Sequence, residues 1–194
     1  MVLACHLIFT AYGFWLPNDP RGSWSDFVRC WELYWYGAAT KVTTRRSLAR
    51  DSHNHDLRRL QKAALLHDPV RFNPAQIASV ARGFARAVSE SGYKVLACSI
   101  LPEHVHMVVL RHDNPGERII GHFKARATQQ LIAEGLHPFL HERDAAGQIP
   151  CAWARRGWKV FLDSAKDIDR SIQYVDDNPE KQCRPRQAWD FVTV

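Results

Sequence analysis

Residues 93–111 constrain the fold of this chain more than any other segment. Two apolar, strand-like runs, Tyr93 to Leu101 and His104 to Arg111, are separated only by Pro102-Glu103, so they pair as an antiparallel hairpin. Helical patterns flank the hairpin on both sides. Upstream, Asn73-Pro74 marks a helix start, with an N-cap and a proline in the first turn. Ile77, Val80, Phe84, Ala87 and Val88 then fall at helical spacing, and Ser91-Gly92 ends the run. Downstream, Pro115-Gly116 opens a helix to about Glu134. Ile119, Ile120, Phe123, Ala127, Leu131 and Ile132 form its apolar side, and Arg118, Lys124 and Arg126 lie on the other.

Two more strands and a last helix complete the pattern. Val2 to Thr10 is apolar enough to lie in the middle of a sheet. Trp153 to Leu162 reads as a fourth strand, after a loop carrying Gly135, Pro138, Gly147 and Pro150. Ser164 is a helix N-cap, with Asp167 in the first turn near the positive helix end, and this helix runs to about Asp177 and stops before Pro179. The order strand, helix, strand, strand, helix, strand, helix predicts an α+β fold. It is a ferredoxin-like split βαβ antiparallel sheet with an added C-terminal helix, and its first and third strands are central.

A chain of 194 residues suits one core better than two, so residues 1–194 are expected to form a single domain. It carries a long insertion at about 11–73, between the first strand and the first helix. Turn formers from Gly13 to Ser23 open the insertion. Poorly periodic, basic sequence follows, with Arg45, Arg46, Arg50, Arg58, Arg59 and Lys62 and a short helix over Asp56 to Leu66. Excursions of this size carry function or are mobile.

No apolar run approaches the roughly 18 residues that span a bilayer. The first ten residues lack a basic leader region and a small-residue cleavage site, so a cytoplasmic protein without a membrane partner is expected. Cys5, Cys30, Cys98, Cys151 and Cys183 are scattered, with no Cys-x-x-Cys pair. They read as reduced core thiols rather than a disulfide framework or a zinc knot. The net charge of +6 favours a polyanionic partner. Trp153-Ala154-Arg155-Arg156-Gly157-Trp158-Lys159 interleaves indoles, which stack on unpaired bases, with cations, which neutralise phosphates. The same pattern fits a strand with core tryptophans and a solvated basic face.

The chemistry concentrates at two places. His104 and His106 alternate with Val105, so both imidazoles point to one face of a strand, a ready pair of metal ligands. Some seventy residues on, Tyr174 and Asn178 are four apart in the last helical pattern and share a helix face. If that helix packs over the histidines, the Asn178 amide oxygen completes a two-histidine, one-oxygen site. Such a site suits Mg²⁺ or Mn²⁺, and imidazole also accepts zinc. Tyr174 is then a nucleophile beside a polarised phosphate. A tyrosine pKa of about 10 calls for assistance in proton loss, and no residue stands out for that task. Among the remaining histidines, His53-x-His55 lies in an arginine-rich stretch without a strand signal. His6 is either a core residue or on the face of the pair. His112, His122, His137 and His141 read as surface or loop residues.

Pro102-Glu103-His104-Val105-His106 resembles the histidine–hydrophobic–histidine (HUH) signature of single-strand DNA endonucleases. Tyr174-Val175-Asp176-Asp177-Asn178-Pro179-Glu180-Lys181 resembles the tyrosine helix of their single-tyrosine transposases, and the Tyr-x-x-x-Asn-Pro-x-Lys pattern is similar to that of REP-associated tyrosine transposases. Trp15-Leu16-Pro17-x-Asp19-x-Arg21-Gly22 also resembles a segment of some members. The resemblance implies that His104, His106 and Asn178 hold Mg²⁺ or Mn²⁺ and that Tyr174 attacks a hairpin-bearing single-stranded DNA through a 5′-phosphotyrosine intermediate, in a monomer or homodimer. Glu103 departs from the Asn or Asp common there, and Gln182-Cys183-Arg184-Pro185-Arg186 replaces the usual Gly-Leu after the lysine. Arg118, Lys124 and Arg126 on the basic helix, with Arg155, Arg156 and Lys159, are the expected DNA contacts. Two other readings stand beside a transposase: a non-catalytic, domesticated hairpin-binding protein, and a metal-dependent phosphodiesterase that activates water.

Overall fold

The computed structural model describes residues 1–43, 48 and 51–193. Capping and alternation produce nine principal elements among them: β1 (Ala4–Thr10), α1 (Trp31–Tyr34), α2 (His55–Ala63), α3 (Pro74–Ser91), β2 (Val95–Ile100), β3 (His104–Leu110), α4 (Gly116–Ala133), β4 (Trp158–Leu162) and α5 (Ala165–Asp176). They fall into two compact units, Met1–Ala11 with Arg71–Val194, and Tyr12–Val70.

The first unit is α+β. Its sheet has the order β2-β3-β1-β4 with every neighbouring pair antiparallel, which puts the first and third strands in the centre. The local signals explain the elements. Asn73 and Gln76 form a reciprocal capping box at the start of α3, and Gly92 ends it in the left-handed conformation at φ 66°. Ser164 accepts from the Asp167 amide to cap α5.

Strand parity assigns the two faces. Leu7, Phe9, Val105 and Met107 face α3 and α4, where Phe84 meets Phe9 and Phe123 edge-on at ring distances of 5.9 and 5.1 Å. The two helices approach closely at Gly83, where an added Cβ would lie 2.6 Å from the Ala127 Cα. The even-numbered residues of β1 and β3 face α5. There Ala4, Ala97, Val108, Leu162 and Val175 form a small core, flanked by Ile168 and Ile172. This apolar patch anchors α5 and leaves the other end of the same sheet face to His6, His104 and His106.

The fourth strand is shorter than expected. It begins at Trp158 because Arg156 adopts φ 61° and Gly157 packs where a Cβ would sit 2.8 Å from the Ile8 carbonyl oxygen. Trp153 belongs to an isolated bridge with Ala11 and is buried against Phe9 and Phe72. The cysteine reading also needs correction. All five are free thiols, but only Cys98 is buried, and Cys30, Cys151 and Cys183 are exposed. His137, expected at the surface, is buried, with its ring accepting from the Phe139 amide at 3.2 Å.

In the second unit the helix expected over 56–66 runs His55–Ala63, with Asn54 as its cap. The Trp15–Gly22 motif builds this unit's interior. Asp19 is fully buried and pairs with the guanidinium of Arg21 at 2.8 Å, which itself lies 3.9 Å from the Trp15 ring centroid. Burial alone would raise the Asp19 carboxyl, but Arg21, with help from Arg58, holds it below its ordinary value. Asn18 donates to the Leu33 carbonyl, and Gln61 donates to the Asn18 carbonyl. The predicted basic residues Arg45, Arg46 and Arg50 lie outside the described residues. No helix among the described residues is long and apolar enough to cross a membrane.

Candidate active site

The central strands supply three imidazoles to one face. In the β1–β3 register Ile8 stands opposite His106 and Thr10 opposite His104, so His6 projects from the same face two residues along. The rings of His104 and His106 are 5.0 Å apart. His6 Nε2 and His106 Nδ1 are 3.0 Å apart, a hydrogen bond between buried side chains.

Helix α5 brings the tyrosine to this cluster. Ile168, Ile172 and Val175 recur at helical spacing and hold the helix on the sheet. Tyr174 then projects beside them, with its ring 5.4 Å from that of His106 and 5.8 Å from that of His6. It remains 40% exposed. The helix expected to carry both Tyr174 and Asn178 ends before Asn178. The helix closes at Asp177, because a residue before proline is driven out of the helical region, and Asn178 lies in the turn that follows. Its amide nitrogen donates to the Val175 carbonyl at 3.2 Å, and its side chain is buried with Nδ2 lacking a hydrogen-bond partner. Pro179 leads into a 3₁₀ turn, Glu180–Gln182, which returns Lys181 so that its ammonium lies 4.4 Å from the Tyr174 ring centroid.

Burial sets the charge state of the cluster. It pulls His6 and His104 down to about 4, and it holds His106 well below the ordinary histidine value, reinforced by His104, His6 and Lys181. All three are therefore neutral at pH 7 and carry lone pairs. This donor chemistry fits a divalent cation, with His104 and His106 offering imidazole nitrogen. Asn178 offers a buried amide whose nitrogen and oxygen positions are interchangeable by a ring-free flip. Among the described residues, no three His, Cys, Asp or Glu side chains gather as a metal-ligand cluster.

Glu103 is taken up elsewhere, in an ion pair with Arg71. The expected DNA contacts divide. Helix α4 packs on the opposite face of the sheet from Tyr174, and there Arg118 is exposed while Arg126 pairs with Glu90. Lys124 is a structural clamp: its ammonium donates to the Ala154 and Arg156 carbonyls, and burial pulls it down to about 8. Lys159 pairs with Glu117, and Arg155 and Arg156 are exposed on the loop before β4.

Two contributors were not assigned roles by sequence. His6 shows the right strand parity, but its proximity depends on the pairing of β1 with β3. Lys181 belongs to the tyrosine motif, yet its return to the ring depends on the 3₁₀ turn.

No family model matches the chain, and no curated protein matches it. Among solved structures it is similar to a REP-associated tyrosine transposase bound to a REP hairpin, at 14% identity and a TM-score of 0.48, covering 93% of this chain and 68% of that one. It is also similar to a candidate transposase from Deinococcus radiodurans R1, at 10% identity and a TM-score of 0.40, covering 91% of each chain.

Proposed function

We propose that this chain is a single-tyrosine endonuclease and strand transferase, a transposase-type enzyme that acts on hairpin-bearing single-stranded DNA. The observation that carries the reading is the meeting of His104, His106 and an accessible Tyr174, which are about seventy residues apart in sequence, on one end of one sheet face. The motif resemblance supplies the substrate class.

In this reaction Tyr174 Oη attacks the scissile phosphorus and forms a P–O bond. The bond from phosphorus to the 3′ oxygen breaks, leaving a 5′-phosphotyrosine and a free 3′ hydroxyl. The phenolic proton leaves, and the departing oxygen gains one. The Lys181 ammonium lies over the Tyr174 ring, 4.4 Å from its centroid, and helps to fix the ring in place. His104, His106 and Asn178 are the residues that would hold Mg²⁺ or Mn²⁺, which when bound supplies charge neutralisation at the phosphate. Because the bond energy is kept in the phosphotyrosine, a DNA hydroxyl can reverse the attack and rejoin strands.

The test is incubation with Mn²⁺ and a pool of labelled single-stranded hairpins, followed by a denaturing protein gel. Label retained on the protein and lost in Tyr174→Phe is the expected result. Cleavage without an adduct, equal in Tyr174→Phe, would replace this mechanism with water activation. Binding without cleavage would leave a hairpin-binding protein.

A further inference from the structure

We infer that His6 is a positioning residue for His106: it accepts a hydrogen bond from His106 Nδ1–H and so leaves the lone pair of His106 on Nε2. The inference rests on the metal-ligand reading of His106 given above.

Three observations carry it. The register that sets Ile8 opposite His106 makes His6 its diagonal neighbour on the same face, and a strand pair in the middle of a sheet gives little room for either ring to move. The contact is 3.0 Å, and the two side chains are only 8% and 6% exposed, so no solvent molecule substitutes easily for the partner. A hydrogen bond between two ring nitrogens holds one proton, since two N–H groups or two lone pairs would repel.

Two tautomeric arrangements satisfy that count. In one, His6 Nε2–H donates, which forces the proton of His106 onto Nε2 and removes its capacity to ligate. In the other, His106 Nδ1–H donates, and Nε2 keeps its lone pair. A ligating histidine characteristically donates its second nitrogen to an outer partner, which sets the tautomer and raises the basicity of the ligand. Here the partner is a second imidazole, not a carboxylate or carbonyl. A neutral acceptor orients His106 without adding negative charge to a site that must admit a phosphodiester.

The first measurement is a long-range ¹H–¹⁵N correlation spectrum of the histidine rings in the full, metal-free chain at pH 7. His106 protonated on Nδ1 is the expected result, and protonation on Nε2 or an even mixture overturns the inference. The second is calorimetry with Mn²⁺ alone. His6→Phe should weaken binding by about tenfold to a hundredfold, the range for lost outer partners of metal ligands. His6→Gln, whose Oε1 falls near the place of Nε2, should restore most of the affinity and the Nδ1–H tautomer. Equal Mn²⁺ affinity in wild type and His6→Phe, with the His106 tautomer unchanged, refutes a positioning role. Loss in both variants without rescue by glutamine shows a merely structural histidine. A wild-type chain that takes up no Mn²⁺ refutes the proposed metal site itself and leaves His6 nothing to position, whichever tautomer the spectra show.

Discussion

Acidification should unfold the metal-free chain well before its carboxylates titrate. His6 and His104 sit near 4 in the folded state against 6.5 for an unperturbed imidazole, in each case because burial penalises the charged ring. The unfolded chain therefore takes up protons as pH falls through 6.5, while the folded chain resists until about 4. The unfolded state binds more protons throughout that window, so stability is complete above about pH 6.5 and declines as pH falls. At about 1.4 kcal/mol for each tenfold difference in proton affinity, each ring accounts for roughly 3 kcal/mol across the full window. The two share a cluster, so their effects combine to about 5 kcal/mol, a large part of the 5–15 kcal/mol typical of a domain. Glu90 and Glu134, each held near 2 chiefly by hydrogen bonds from arginine, begin to cost stability only as pH falls through 4.5, so the range above about pH 5 is left to the histidines. Urea unfolding in EDTA, followed by tryptophan fluorescence from about pH 7 to pH 4.5, measures the effect. The midpoint should fall steeply in the wild type and less in a His6→Gln/His104→Gln variant, which keeps only His106 of the three buried rings. A midpoint unchanged between pH 7 and pH 5, or an equal fall in the double variant, would refute the assignment of buried neutral histidines.

Two stability predictions concern the scaffold. Gly83→Ala places a Cβ 2.6 to 2.7 Å from the backbone of Arg126 and Ala127, so the usual helix-propensity gain of about 1 kcal/mol gives way to an overpacking cost of about 1–3 kcal/mol. Gly121→Ala, with nothing within 4 Å, should instead raise the melting temperature, and a rise in both variants would contradict the close helix approach. Asp19→Ala leaves the Arg21 side chain, 5% exposed, without its carboxylate and should cost about 3–5 kcal/mol within the Tyr12–Val70 unit. Hydrogen exchange at the Gly22, Ser23 and Thr40 amides should accelerate, and unchanged protection there would remove Asp19 as the organiser of that unit.

The features readable in sequence are those decided within a few residues. The Asn73–Gln76 capping box, the Gly92 stop, the Ser164 cap and the two-residue link at Pro102-Glu103 are local conformational preferences, and each element they delimit forms about where the pattern puts it. Strand alternation likewise sends His104 and His106 to one face, and the element order leads to the β2-β3-β1-β4 sheet. What the local pattern does not contain is the pairing of residues a hundred positions apart. The β1–β3 register makes His6 a partner of His106, and burial on both faces selects that register, not any property of His6 itself. The same holds for charge. Lys124, Arg118 and Arg126 are all cations of one helix, yet Lys124 alone is consumed by two loop carbonyls, because only the packed fold brings the 154–156 segment over it. The sequence by itself determined the strands, the helices and the histidine and tyrosine motifs. The tertiary structure decided which face each helix covers, that Lys181 returns to Tyr174, and that a third imidazole stands behind the pair, since these depend on how distant surfaces are buried together.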